Sequence, residues 1–257
     1  MATTCLNNQK FEPAVEFMRQ GLTQFRKHHG NDANEDCLSV MVALGDVQLQ
    51  QGDIPAASQC LSAAVSQLQN MDPDSLPSHS ELLTQAYTSL ATVGLFSQDF
   101  DQAIQCHNLA LRLNLDRLGT EMNAKVAEQH QMLGRLYVWT KDFAASFTHL
   151  QKAATIYTHI FGTKSTETMS AIRDMGVLHQ AQGDTPNAIA NLRMAAAIAA
   201  DTLDPHDDAR VSVETMLSIS EKVTSEATGL SSSVWLAATA MSLAATVTAA
   251  VLYWRSR

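Results

Sequence analysis

One turn motif occurs four times along this 257-residue chain. Residues 52–57 read GDIPAA and residues 183–188 read GDTPNA, and related turns lie at residues 98–103 and 141–146. A small residue lies eight positions before the Asp of each turn. These small residues, spaced 46, 43 and 42 positions apart, are Gly45, Ala91, Gly134 and Gly176. Recurrence at a nearly fixed period predicts an array of structural repeats.

Each repeat has the pattern of two helices joined by a tight turn. In the first helix a large residue stands beside the small one, which lets a second helix approach closely. The Asp of the turn is placed to cap the second helix by accepting backbone N–H groups, and Pro55 and Pro186 fall in its first turn, where the missing N–H costs nothing. The second helix has small or apolar residues at i, i+4 and i+7, as in Ala188, Leu192 and Ala195. One such hairpin cannot bury its stripe alone, so the hairpins must stack.

Composition supports an all-helical fold. Hydrophobic residues make up 46% of the chain and aromatic residues only 6%. Ala, Leu, Gln and Met dominate the apolar and neutral positions, and all four favour helix. Alternating runs of β-branched residues are absent, so the predicted class is all-α.

The repeats resemble tetratricopeptide repeats. That family places a large residue and Gly or Ala in the first helix, helix A, and Ala early and late in the second, helix B. The long period, with Phe161-Gly162-Thr163-Lys164 before the next helix, is similar to the kinesin-light-chain variety. The resemblance covers about residues 7–226 and implies a right-handed α-solenoid.

The resulting domain organisation has a solenoid over residues 1–226, followed by a linker at 227–233, a transmembrane helix at 234–254 and a short basic tail at 255–257. Within the solenoid we expect a half-repeat, four full repeats and a capping helix that starts at Asp204 and Pro205. The half-repeat is expected at residues 7–29 and the capping helix at 205–226. The four full repeats are expected at about 38–71, 84–117, 127–160 and 169–202.

In the tetratricopeptide family, the second, fifth, sixth and ninth places of helix A line a concave groove that binds peptides. The resemblance therefore implies a partner groove here. Its candidate residues are Gln85, Thr88, Thr92, Glu128, Gln131, Arg135, Arg173 and Val177. The Lys/Asn/Arg clamp of chaperone-binding relatives is missing, as are the paired asparagines of kinesin light chains.

Arg135 and Arg173 lie one repeat apart and have two interpretations. Together they are able to hold an acidic peptide segment. Alternatively each pairs with a local acid, Arg135 with Glu128 or Asp142 and Arg173 with Asp174 or Glu167, and we favour this second interpretation.

Residues 227–254 carry no charge, and 234–254 is an apolar run of 21 residues. At about 1.5 Å per residue this run spans about 30 Å, the thickness of a hydrocarbon core. Its ends have the aromatic and basic residues that anchor a span at the interface. These anchor residues are Trp235, Tyr253, Trp254, Arg255 and Arg257. The alternative, a buried core helix or a terminal cap of the solenoid, is disfavoured because the run has no polar stripe and follows Gly229 and a Ser-rich linker.

With three residues after the span, the chain resembles a tail-anchored protein whose N-terminal domain stays in the cytosol. A moderately hydrophobic Ala/Thr-rich span with a short basic tail resembles mitochondrial outer-membrane anchors more than the leucine-rich anchors of the endoplasmic reticulum. Small residues at every fourth position of the span are either a self-association face or a consequence of its composition; we favour composition. They are Ala238, Ser242, Thr246 and Ala250.

Charge argues against nucleic acid as a partner. The net charge is −9, and residues 227–257 contribute Arg255 and Arg257 without any acid, so the remaining residues carry −11. Phosphate binding requires a basic face instead. The four cysteines form no CxxC pair, which predicts reduced, partly buried thiols.

No catalytic or cofactor motif occurs among the nine histidines and the acidic pairs. We expect no metal site, no cofactor and no enzymatic activity. His130 and His179 lie on helix A faces of different repeats, and His107 occupies a packing position. The sequence thus predicts a cytosol-facing adaptor that holds a protein partner at an organelle membrane, the mitochondrial outer membrane first. The alternative is a subunit or assembly factor of a membrane protein complex, endoplasmic reticulum or mitochondrial.

Overall fold

The computed structural model describes residues 11–29, 35–71 and 79–226. All regular elements in these ranges are helices, in agreement with the predicted all-α class. The chain divides into two compact units, unit 1 over Met1–Gly119 and unit 2 over Thr120–Arg257.

Unit 1 contains five described helices. They are α1 (Phe11–His29), α2 (Glu35–Gln51), α3 (Ile54–Gln69), α4 (His79–Phe96) and α5 (Phe100–Leu118). Helices α2 and α3 form the first hairpin and α4 and α5 the second, and α2 also packs on α4. Helix α1 packs on α2 and begins at Phe11, so residues 7–10 of the expected half-repeat lie outside the described residues.

Unit 2 also contains five described helices. They are α6 (Ala124–Trp139), α7 (Phe143–Phe161), α8 (Thr166–Ala181), α9 (Thr185–Thr202) and α10 (Asp208–Glu226). Helices α6 and α7 form the third hairpin, α8 and α9 the fourth, and α10 packs on α9. Helix α10 starts three residues later than the expected position 205, because Asp207 accepts the N–H of Ala209 at 2.8 Å.

The turn between the two helices of each hairpin is built the same way every time. Its Asp caps the second helix and accepts the backbone N–H three residues on, at 2.9 to 3.3 Å, which confirms the predicted N-caps Asp53, Asp99, Asp142 and Asp184. The residue immediately before the Asp has a positive φ. In these places lie Gly52, Gln98, Lys141 and Gly183. Gly adopts this left-handed conformation without strain, whereas Gln98 and Lys141 adopt it at a steric cost.

The small residues of helix A allow the close helix approach that the sequence predicts. A Cβ built on Gly134 would lie 2.5 Å from Cγ of Leu150, and one built on Gly176 would lie 2.9 Å from Cγ of Leu192. Ordinary carbon contacts are about 3.5–4.0 Å. The third and fourth hairpins therefore pack too tightly for a side chain at this place, whereas the second hairpin accommodates the buried Ala91.

The core of each unit runs between its A and B helices. Leu61, Leu150 and Leu192 occupy equivalent places in three B helices and are completely buried. In unit 2, Met169 of α8 and Val213 of α10 enclose the small stripe of α9. Among the described residues, Cys37 and Cys106 are buried and Cys60 is half-buried, and none of the three forms a disulfide bond.

Candidate partner-binding face

Each unit has an A-helix face, formed by the second, fifth, sixth and ninth places of its A helices, which are α2 and α4 in unit 1 and α6 and α8 in unit 2. Among the predicted partner residues, Gln85 is exposed, and Thr88, Thr92, Glu128 and Arg135 are half-buried. Three others are buried, namely Gln131, Arg173 and Val177. Only part of the predicted set is thus available to a partner in direct contact.

In unit 2 a buried carboxylate organises this face. Arg135 of α6 donates from Nε to Oδ2 of Asp174 on α8 at 2.6 Å, and Gln131 donates to the same oxygen at 2.7 Å. Arg173 donates to Oδ1 from Nη2 at 3.0 Å. The side chain of Asp174 is only 2% exposed. Burial raises the pKa of this carboxyl, but Arg135 and Arg173 lower it more, so its pKa lies below the ordinary value.

These ion pairs confirm one sequence expectation and correct another. Arg173 pairs with its local acid Asp174, as predicted. The expectation that Arg135 pairs with Glu128 or Asp142 is wrong, because its partner is Asp174 on the next A helix. Stacking of successive A helices brings the ninth place of one against the sixth place of the next.

Ser170 of α8 receives three N–H donors at this cluster. Gln131 Nε2 lies 3.0 Å from its Oγ, and Nη2 of Arg135 and of Arg173 each lie 3.3 Å from it. Two guanidinium groups thus share one carboxylate, which leaves one positive charge in excess. Part of that charge reaches solvent, because the side chain of Arg135 is 20% exposed.

Unit 1 repeats this contact with different chemistry. Asp46, at the ninth place of α2, accepts hydrogen bonds from Ser89 and from Gln85 of α4, the latter at 3.0 Å. These are the sixth and second places of the next A helix, equivalent to Asp174 and Ser170 in unit 2. Burial raises the pKa of Asp46, and the bonds from Ser89 and Gln85 only partly offset it.

The prediction of site residues from the sequence missed four members of these contacts. Asp46, Ser89, Ser170 and Asp174 occupy groove places, but none was chosen as a partner residue. The sequence does hold a signal for them, because side chains able to bond to one another stand at groove places 39 or 43 residues apart. Arg135 and Gln131, for example, both donate to Asp174. Each contact fixes two neighbouring A helices to one another and so holds the exposed residues between them in a defined geometry.

A histidine pair lies between the helices of the third hairpin. Nδ1 of His130 on α6 and Nδ1 of His149 on α7 are 2.8 Å apart, and the ring of Tyr137 stacks on His149 with centroids 5.5 Å apart. Burial, together with His149 and Lys152, lowers the pKa of His130 to about 4. Both imidazoles are therefore neutral at neutral pH, because burial lowers the pKa of His149 as well.

Metal-binding groups and membrane-spanning helices are absent from the residues that the structure describes. No three His, Cys, Asp or Glu side chains of these ranges are grouped to bind a metal ion. Among the described helices, none has the length and apolar character needed to cross a bilayer. The predicted span at residues 234–254 lies outside the described residues, as do its anchor residues and the small-residue positions.

Comparison with known proteins supports the repeat assignment. Residues 127–201 match the family model described as tetratricopeptide repeat. No curated protein sequence matches the chain. The chain thus carries tetratricopeptide repeats in its third and fourth hairpins.

Solved structures share the fold of the chain. BtubC (BKLC) from P. vanneervenii superposes with a TM-score of 0.62 at 19% identity, over 86% of this chain and 93% of that one. A putative kinesin light chain of Podosopora anserina with nearly identical TPR-like repeats superposes with a TM-score of 0.68 at 16% identity, over 78% of this chain and 92% of that one. The assembly chaperone of RpL4, Acl4, superposes with a TM-score of 0.51 at 18% identity, over 97% of this chain and 96% of that one. The fold is therefore similar to that of kinesin-light-chain-like repeat proteins.

Proposed function

We propose that this chain is a scaffold that binds a protein partner on its A-helix face and holds it at an organelle membrane. The observation that carries the proposal is the hydrogen bonding between neighbouring A helices. Gln85 donates to Asp46 in unit 1, and Arg135 donates to Asp174 in unit 2. These hydrogen bonds hold the polar, half-exposed surface of each unit in one geometry before a partner binds. Rigid surfaces bind with a smaller loss of conformational entropy.

Electrostatics supports an acidic peptide segment as the ligand of unit 2. Arg135 and Arg173 share Asp174, and the remaining positive charge is matched by one carboxylate of a partner. Arg135 is the residue that makes this contact, because it is the more exposed of the two. Arg173 acts by positioning, since its guanidinium is held against Asp174.

A bulky charge on the A-helix face tests the proposed binding surface. We expect Thr88→Arg to abolish capture of partner proteins from a cell lysate by the tagged full chain. Gln105→Arg is the matched control, because it adds the same side chain to an exposed position of the B helix α5. Equal capture by the two variants would remove the A-helix face from the proposal.

The membrane part of the proposal rests on the sequence. Residues 234–254 form an uncharged run long enough to span a bilayer. We propose that this run anchors the chain in the mitochondrial outer membrane with the repeats in the cytosol. Imaging the N-terminally tagged full chain beside a version ending at Ser233 tests it. A mitochondrial full chain with a protease-accessible tag and a diffuse truncation is expected, and diffuse staining of both chains would rule the anchor out.

A second candidate function is that of a subunit or assembly factor of a membrane protein complex. Large apolar side chains are exposed on B helices, among them Leu109 at 41%, Phe147 at 38% and Met194 at 56%. Such side chains are suited to permanent contacts, and Acl4, which shares the fold, is an assembly chaperone. The version ending at Ser233 discriminates, because a scaffold keeps its partners without the hydrophobic run and a complex subunit loses them.

A further inference from the structure

Helix α6 carries one acid and one base on the A-helix face of unit 2, at its second and ninth places. They are Glu128 and Arg135, seven residues apart. Seven residues of an α-helix make almost two turns and rise about 10 Å, so both side chains lie on the same side of α6. Met132 lies between them on that side, four residues after Glu128. All three side chains are half-buried and so in part open to a partner.

Glu128 has no partner within the described part of the chain. The ion pair with Arg135 that the sequence suggested does not form, because Arg135 pairs with Asp174 instead. Neither a hydrogen bond nor an ion pair of its side chain joins Glu128 to any other described residue. The helix dipole does not account for this acid either, since Glu128 lies beyond the first turn of α6. A cation placed beside this half-buried carboxylate would stabilise it.

Arg135 keeps one edge of its guanidinium group for a partner. Its Nε donates to Asp174, and Nη2 donates one of its two N–H groups to Ser170. Among the described residues, Nη1 contacts only the sulfur of Met132, at 3.8 Å, and a thioether is a weak acceptor. The edge formed by Nη1 and Nη2 therefore retains N–H donors with the spacing that binds a carboxylate through both of its oxygens.

We propose that this face binds a partner segment in which Lys or Arg lies three residues from Asp or Glu, with the cation against Glu128 and the carboxylate on Arg135. The inference rests on the proposed function, because it names the charge pattern of the acidic segment. A segment in polyproline II conformation fits, since it turns once every three residues and rises about 3.1 Å per residue. Its two charged side chains then lie on one side, about 9 Å apart, and the residues between them pack on Met132.

Stiff peptides of known charge spacing test the proposal. Each fluorescent probe is a twelve-residue polyproline in which two positions are replaced. The first probe has Lys and Glu three residues apart, the second has them six residues apart, about 19 Å, and the third has two Glu three residues apart.

Fluorescence anisotropy with the full chain in mild detergent measures the binding of each probe. The first probe should bind about tenfold more tightly than the third, because the third replaces an attraction at Glu128 by a repulsion of similar size. The second probe should bind about fivefold more weakly than the first, because one of its two charges has no counterpart.

Reversing the charge at residue 128 tests the assignment of the cation. Glu128→Lys should invert the preference, so that the third probe binds about tenfold more tightly than the first. Glu121→Lys is the matched control, because it makes the same change at an exposed position before α6 begins, and it should keep the preference of the unaltered chain. Thermal unfolding verifies that both variants are folded.

Three results would overturn the inference. They are no binding of the first probe, equal binding of the first and second probes, and equal changes of preference in Glu128→Lys and Glu121→Lys. Equal binding of the first and third probes would reject the paired charges and leave the acidic ligand of the proposed function in place. The proposed function fails separately, when Thr88→Arg and Gln105→Arg capture partner proteins equally well.

Discussion

Replacing Gly134 by Ala tests the close helix approach on which each hairpin depends. The new Cβ would lie 2.5 Å from Cγ and 2.6 Å from Cδ2 of Leu150, and 3.3 Å from the backbone nitrogen of the same residue. The overlap with Cγ is about 1 Å. Leu150 is completely buried, so its side chain can move away only by displacing its neighbours in the core. Overpacking costs about 1–3 kcal/mol. We take the upper end, because moving Cγ of Leu150 away from the new Cβ also moves both of its methyl groups.

The gain of helix propensity from Gly to Ala offsets about 1 kcal/mol of that cost. We therefore expect Gly134→Ala to lower the free energy of unfolding by about 2 kcal/mol. Urea unfolding of the full chain in mild detergent, followed by far-ultraviolet circular dichroism, measures it. The matched control is Gly21→Ala in α1, where no atom lies within 4 Å of the new Cβ. Gly21→Ala should stabilise by about 1 kcal/mol, and an equal gain in Gly134→Ala would refute the reasoning.

Three further predictions concern unit 2. Folding lowers the pKa of His130 from 6.5 to about 4, so the unfolded chain binds a proton more readily. The free energy of unfolding, measured by urea unfolding, should therefore decline by about 3 kcal/mol as pH falls from about 6.5 to 4. An equal decline in His130→Gln would contradict this. Asp174→Asn leaves Arg135 and Arg173 without their buried counter-ion and should cost about 3–5 kcal/mol in urea unfolding, so an unchanged midpoint would exclude the ion-pair network. Asp142→Ala removes an N-cap and should cost about 1 kcal/mol, whereas Lys141→Ala at the neighbouring position keeps the cap and serves as its control.

The repeated hairpin is predictable from the sequence because its determinants are local. An Asp at a helix start, Pro55 in a first turn and a small residue eight positions before that Asp act through neighbours in the chain or through the adjacent helix. Their recurrence at a regular spacing makes each copy support the others. The same logic identifies Leu150 and Leu192 as core residues, since they share one place in successive B helices.

The contacts between repeats are less predictable because they join residues about 40 positions apart. Arg135 has Glu128 and Asp142 nearby in sequence, and only the stacking of α6 on α8 shows that Asp174 is its partner. His130 similarly meets His149 through the crossing of α6 and α7. The sequence places these residues on helix faces, but the relative rotation of two helices decides which side chains meet.

Site-specific photo-crosslinking tests the central claim most directly. A photoreactive amino acid replaces Gln85 on the A-helix face of the full chain, and in a second version Leu109 on the B helix α5; both positions are exposed. We predict that irradiation in cells links a partner protein to position 85 and leaves position 109 unlinked. Crosslinks from position 109 alone would contradict binding on the A-helix face and favour the complex-subunit function instead.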